Sequence, residues 1–256
     1  MTQPTEVSVP PELLERILTL AGTDMILVGG QALAFWSAYY QTPAPTIAIT
    51  KDVDFLGTKA DVERLARGLD ARAVFPAKKA VTLLVGQVLK DLPGGGYVNI
   101  DVMFGVHGDI TTQAITGRAV LAENPAGRFQ VMHPLDVLQG RLENVYGLPD
   151  KQDEHGVAQL RLGIDIARKF IADIASQEAP GANDSSRPVT LRHLARIERL
   201  ALSDAGRKVA KRYGVYVADA VDPTHIMHIK HFVSKKLPQL LKLMSAARRA
   251  ELQTHD

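Results

Sequence analysis

The sequence predicts an α/β (α+β) domain built on a mixed sheet, followed by a helical carboxy-terminal region. Three observations predict it. Short apolar or alternating segments interleave with helically spaced ones before Pro134, and the pattern is helical after it. A stretch at 177–188 (QEAPGANDSSRP), rich in Pro, Gly, Ser, Asn and Asp, then reads as a linker. The expected segments are therefore 1–133, a helical extension at 134–180, and a basic helical region at 187–256.

Residues 10–20 place Leu13, Leu14, Ile17, Leu18 and Leu20 at helical spacing. The run at 25–28 (MILV) is short and apolar and ends at Gly29 and Gly30, the signature of a buried strand. Residues 31–40 hold no helix breaker and suit a helix starting just after the glycines. Pro43 and Pro45 make 41–46 a loop. A second strand is expected over 47–56, then a helix over 61–69 with Thr58 as its cap. Residues 80–89 and 97–106 read as two strands of a hairpin around the turn at 93–96 (PGGG). In the second of these, Val98, Ile100, Val102 and Phe104 form the alternating apolar set. Helices are expected at 136–146 and 153–176. Asp222 and Pro223 read as an N-cap and first helical residue, and Pro238 as the divide between two last helices. No internal repeat is present.

The composition bounds the chemistry. Apolar residues make up 46% and charged residues 23%, an ordinary globular balance rather than that of a disordered or membrane-spanning chain. The absence of cysteine excludes disulfides, thiolate metal sites and a cysteine nucleophile. The start of the sequence lacks a basic stretch followed by an apolar one, and no apolar run reaches the roughly 20 residues of a membrane span. A cytoplasmic location is the expectation. No GxxxxGK[ST], GxGxxG or GxSxG occurs.

The chemistry-bearing residues fall in three places. Asp52 and Asp54 stand two residues apart, so a strand would project both to one face. Carboxylates that close repel unless a cation lies between them or one keeps its proton. Asp101 lies in a strongly apolar strand and would join them if its strand neighbours theirs. Three such acids suit Mg2+ (or Mn2+) and phosphate chemistry. Gly29 and Gly30, without Cβ atoms at a helix start, would let backbone amides approach a phosphate. Thr50 and Lys51 adjoin the acids and are further candidates for the nucleotide.

As a set, LVGGQALAFW, TKDVDFLG and VNIDVMF resemble the nucleotidyltransferase superfamily whose fold is shared with DNA polymerase β. The resemblance covers roughly residues 12–106 and is nearest to AbiEii-like bacterial toxin nucleotidyltransferases. It implies that Gly29 and Gly30 hold the triphosphate and that Asp52, Asp54 and Asp101 bind metal, Asp101 also helping to activate the attacking hydroxyl. Two features depart from the family pattern. The spacer from Gly30 to Asp52 is long. In the helix comparable to the toxins' lysine-bearing one, the nearest basic residues are Arg141 and Lys151.

The expected activity is metal-dependent transfer of a nucleoside monophosphate from an NTP to an acceptor hydroxyl. The acceptor would be an RNA 3′ end (tRNA among them), a protein or a small molecule, with an antitoxin protein as a partner if the toxin likeness extends so far. The alternatives are a catalytically inactive module that binds nucleic acid or antitoxin, and a metal-dependent phosphodiesterase. From 187 to 256 the chain carries fourteen Lys/Arg against six Asp/Glu, although its overall net charge is only +2. That region could face nucleic acid through Lys235, Lys236, Arg248 and Arg249, or be a solvated helix face. His225, His228 and His231, at i, i+3 and i+6 of an expected helix, fit zinc ligation or surface and nucleic-acid contacts.

Overall fold

The computed structural model describes residues 5–48, 50–125, 127–178 and 188–253. They form two compact units. One comprises residues 1–35 and 49–140, the other residues 36–48 and 141–256. Most of the expected linker, 179–187, lies outside the described residues.

The first unit holds a mixed sheet. Its elements run α1 (Pro11–Ala21), β1 (Ile26–Val28), α2 (Gly29–Tyr39, ending in the second unit), β2 (Val53–Leu56), α3 (Lys59–Leu69), β3 (Arg72–Val74), β4 (Leu84–Asp91), β5 (Tyr97–Met103), α4 (Thr112–Thr116), β6 (Val120–Asn124), β7 (Gly127–Val131) and the start of α5 (Pro134–Gly147). Among the described residues the sheet has seven strands in the order β3-β4-β5-β2-β1-β7-β6. Strand β2 runs parallel to β5, and β1 parallel to β7; the other neighbours are antiparallel.

One face of the central strands is the core. Leu27, Val53, Phe55, Val98, Ile100 and Val102 are buried there. Helix α1 contributes Ile17 and Leu18, and α3 contributes Val62, Leu65 and Leu69. The α3 start is fixed by the Asp61 carboxylate, which accepts from Thr58 N at 2.8 Å and Thr58 Oγ1 at 2.7 Å. Asp136, fully buried at the start of α5, accepts a charged pair of bonds from Arg118.

The second unit is helical: the end of α5, α6 (Glu154–Gln177), α7 (Val189–Leu202), α8 (Asp204–Tyr213), α9 (Lys230–Lys235), α10 (Leu237–Leu241) and α11 (Ala246–Gln253). Asp153 caps α6 by accepting from Gly156 N at 2.8 Å, and Ser203 caps α8 through Gly206 N at 2.9 Å. Pro238 sits in the first turn of α10, dividing it from α9.

Five expectations need correction. The strand over 47–56 is only Val53–Leu56, because residues 46–48 form a 3-10 turn whose carbonyls bond to α6 rather than to a ladder. There Gln159 Nε2 donates to Ala48 O at 3.2 Å, and the His155 ring bonds Ile47 O. Strand β4 begins at Leu84, not residue 80; Val81 is fully exposed. Strand β5 stops at Met103, and Phe104 leaves the apolar set at 56% exposure. The three histidines do not share a helix: His225 lies in a short 3-10 turn, His228 in a turn and His231 in α9. Asp222 caps that 3-10 turn through Thr224 N at 3.0 Å, so the Asp-Pro signal marks a single turn rather than a longer helix.

The alternation in β5 sets a test. Ile100→Ala should destabilise the protein by about 2–5 kcal/mol, since it opens a cavity in the face opposite the acids. Phe104→Ala should stay within about 0.5 kcal/mol, as an exposed site would. Urea unfolding of both variants checks the contrast.

Candidate active site

Register brings the acids together. In the parallel β2–β5 pair, Asp54 stands directly opposite Asp101. Asp54 is also opposite Val28, the last residue of β1. The strand leading into the glycine pair therefore lies beside the acid strand. Asp52 is one residue short of β2.

Each acid has a different environment. Asp101 Oδ1 accepts from Gln87 Nε2 at 2.9 Å and from Asn99 Nδ2 at 3.0 Å. Gln87 is opposite Asp101 on β4, and Asn99 is two residues back on the same face of β5. Neutral amides thus fix one oxygen of the carboxylate.

Asp54 lies against the start of α2. Gly29 has φ of +64°, and a Cβ there would collide with the Asp54 carboxylate. A Cβ on Gly30 would come within 2.5 Å of the Thr50 side chain. The two glycines thus make room first for Asp54 and Thr50. A carboxylate at a helix start is also favoured by the helix dipole and its unpaired amides. Lys51 is exposed and close enough to influence the acids by charge.

A fourth acid, Glu6, joins the cluster. The segment before α1 lies along the start of β5: Val7 N donates to Tyr97 O at 3.0 Å, and Tyr97 N to Thr5 O at 3.1 Å. Glu6 pairs with Tyr97 in a parallel bridge. Its carboxyl shares a hydrogen bond with Asp52, which with burial and the charges of Asp52 and Asp101 pushes its pKa up to about 7 against the opposing Lys51. Glu6 Oε1 is shielded from solvent and has no partner among the described residues. Sequence reasoning missed Glu6 because its segment has neither period nor motif. It also passed over Gln87 and Asn99, although Asn99 and Asp101 stand at the two-residue spacing of one strand face.

The crowding fits a divalent cation: four carboxyl groups are gathered, a buried Glu6 oxygen is unmatched among the described residues, and two of the carboxyls lie within hydrogen-bond reach of each other. Even so, among the described residues no three His, Asp or Glu side chains converge closely enough to form a metal site as they stand.

The basic candidates are dispersed. Lys236 pairs with Glu198 at 3.0 Å. Arg248 is largely buried, bonding Asp222 at 2.9 Å and Glu251 at 3.0 Å. Burial pushes the Asp222 carboxyl up, but bonds from Thr224 and Arg248 prevail and hold it below its usual range. Arg249 donates to Met244 O at 3.0 Å. Of the four, only Lys235 is without a partner among the described residues. Arg248 is therefore already engaged by two carboxylates. His228 faces Glu178 at 3.4 Å. Arg141 donates to Gln159 Oε1 at 2.7 Å, and Lys151 pairs with Asp150 at 3.4 Å. No helix among the described residues is long and apolar enough to cross a membrane.

The class that fold and site define is an α/β protein with a mixed sheet, its acids gathered beside a Gly-Gly helix start. No family model matches the chain, and no curated protein does. Among solved structures it is similar to an antigenic nucleotidyltransferase-like protein from Paracoccidioides brasiliensis, with 14% identity and a TM-score of 0.40 over 80% of this chain and 95% of that one. It is also similar to the Megavirus polyadenylate synthase, with 9% identity and a TM-score of 0.39 over 92% of this chain and 51% of that one. At these scores the likeness carries no argument about chemistry, which rests on the site itself.

The Glu6–Asp52 pair has a pH signature. Glu6 titrates near 4.5 in the unfolded chain and near 7 in the folded one. The folded state holds the extra proton between those values, so the stabilisation is complete below about pH 4.5 and lost as pH rises through 7. Thermal melts in chelator should show stability falling across that window, with a flatter profile for Glu6→Gln. An identical slope in both proteins would discard the shared proton.

Proposed function

We propose that the protein is a metal-dependent nucleotidyltransferase, moving an NMP from an NTP to an acceptor hydroxyl. The observation that carries this reading is the placement of Asp54 opposite Asp101, with Asp54 against the Gly29–Gly30 start of α2. A helix start draws phosphate, and the carboxylates beside it would repel that phosphate unless a cation stood between.

Asp52, Asp54 and Asp101 would hold Mg2+ (or Mn2+). When bound, the cation would neutralise phosphate charge and favour ionisation of the acceptor hydroxyl. The amides opening α2 would bind the triphosphate, with Thr50 at its edge. Asp101, fixed at one oxygen by Gln87 and Asn99, would take the acceptor proton on the other. The acceptor oxygen then bonds to the α-phosphorus as the bond to the bridging oxygen breaks, and pyrophosphate leaves. Chemistry of this kind depends on positioning and charge neutralisation, and both belong to these residues.

A second reading, a catalytically silent binding module, draws on the failure of three acids to converge unaided.

One experiment separates the readings. Wild-type protein with Mg2+ and α-labelled NTPs should pass label into RNA, protein or small molecules, and Asp54→Asn should lower that transfer at least about 100-fold. Residues that merely support a metal ligand cost roughly 10- to 100-fold. Calorimetry should show Mg-NTP binding weakened in the variant. Transfer undiminished in Asp54→Asn would end the metal-site assignment, and no Mg-NTP binding by wild type would favour the silent module.

A further inference from the structure

The second unit contains a cavity of about 440 Å³ that the proposed chemistry does not use, lined by Val145, Tyr146, Lys208, Val209, Lys211, Arg212 and Tyr213. Its volume is within the roughly 300–1,000 Å³ of pockets that take small ligands. Two features of its wall are specific.

The first is charge. Lys208, Lys211 and Arg212 stand at i, i+3 and i+4 on α8, the spacing of one helix face. Lys208 is compensated by Asp204 at 2.9 Å. Lys211 has no partner among the described residues. Arg212 has no acidic partner among the described residues and bonds the neutral Gln152 Oε1 at 2.9 Å. The wall therefore presents two uncompensated cations.

The second is the pair of aromatic rings. Tyr146 is held by its hydroxyl, which donates to Asp204 at 2.6 Å, while Lys208 sits 5.4 Å from its ring centroid. Arg212 sits 5.0 Å from the Tyr213 ring centroid, and the Tyr213 hydroxyl is buried without a partner among the described residues. Flat rings interleaved with cations that follow a helix face are what a single-stranded nucleic acid requires: bases stack on rings while phosphates run along cations. A duplex keeps its bases stacked inside and cannot offer one to the pocket. An acidic peptide would use the cations but not the rings.

We propose that this cavity seats one nucleotide of a single-stranded nucleic acid, with neighbouring phosphates on Lys211 and Arg212. That nucleic acid is the acceptor class is a corollary resting on the transferase reading; the docking site itself does not depend on it.

The test is fluorescence anisotropy of the full chain with fluorescein-labelled oligoadenylate, over a series of NaCl concentrations. Lys211→Gln, a change at an exposed position, should weaken binding and lower the log–log salt slope by about 0.7. Tyr213→Leu and Tyr146→Leu should each weaken binding about tenfold, with circular dichroism melts showing which variants remain folded. Lys235→Gln, on α9, should have a smaller effect than Lys211→Gln. A duplex of the same sequence should bind more weakly, and polyglutamate should compete poorly. Unchanged affinity and slope in Lys211→Gln, equal loss in Lys235→Gln, or equal binding of duplex or polyglutamate would each overturn the site, the last pointing to an acidic protein. No strand binding by wild type, with label still passing into protein, overturns the site and leaves the transferase reading standing. Strand binding at the cavity with no label transfer to any acceptor overturns the transferase reading and leaves the site.

Discussion

The parallel pairing of β2 with β5 is the constraint on which the candidate site depends. Side chains alternate along a strand, so a slip of one residue would exchange every residue between faces. Here that slip would drive Asp101 into the layer formed by Val53, Phe55, Val98, Ile100 and Val102, all fully buried. Burying a lone carboxylate there is prohibitive unless it is neutralised. The apolar face thus enforces a register that it does not itself use, and the acids opposite are aligned as a result. Strand β1 continues the logic. Its pairing with β2 ends at Val28 opposite Asp54, so the turn into α2 follows beside the acids.

Gathering carboxylates is unfavourable, and the structure shows three ways of relieving it. Glu6 and Asp52 share a proton, Asp101 takes two amide donors, and Asp54 lies at a helix start. None of these removes the net negative charge that a triphosphate would meet. A cation would do so, and would compete with the proton between Glu6 and Asp52. Metal affinity and Glu6 protonation are therefore opposed, and the same four acids would bind metal more weakly in acid than at neutral pH. The glycines serve both states: without Cβ atoms they admit Asp54 and Thr50 now, and leave the α2 amides close to any anion.

What was legible in the sequence was local. The run at Ile26–Val28, the alternation of β5, the Thr58 cap and the long α6 behind Asp153 all depend on neighbours a few residues away. So did the spacing of Asp52, Asp54 and Asp101, although not their pairing. The losses were long-range. Residues 47–56 alternate well enough for a strand, but 46–48 spend their carbonyls on α6, more than a hundred residues later. Glu6 reaches the acids through backbone bonds to Tyr97, about ninety residues on. Strands β3, β6 and β7 are short, and β7 is recruited by parallel pairing to β1, which no local pattern announces. Histidines three apart suggested a helical stripe, but Pro223 and the turn after it break the helix that the spacing assumes.

The basic region shows the limit of counting charge. Its excess of Lys and Arg describes a segment, whereas recognition depends on which cations remain uncompensated and what stands beside them. Arg248 contributes to the count but is committed to Asp222 and Glu251, where it ties the last helix to the turn at Pro223. Lys236 is likewise committed to Glu198. Helix α8 differs because its Asp204 is shared between Tyr146 and Lys208. One carboxylate serves a tyrosine and a lysine at once, and the next two cations along the same face are left unmatched. Desolvating an ion pair to bind a phosphate would cost most of what the contact returns, whereas an unpaired lysine beside a fixed ring carries no such cost. What sets α8 apart from the carboxy-terminal helices is that its uncompensated cations stand beside tyrosines.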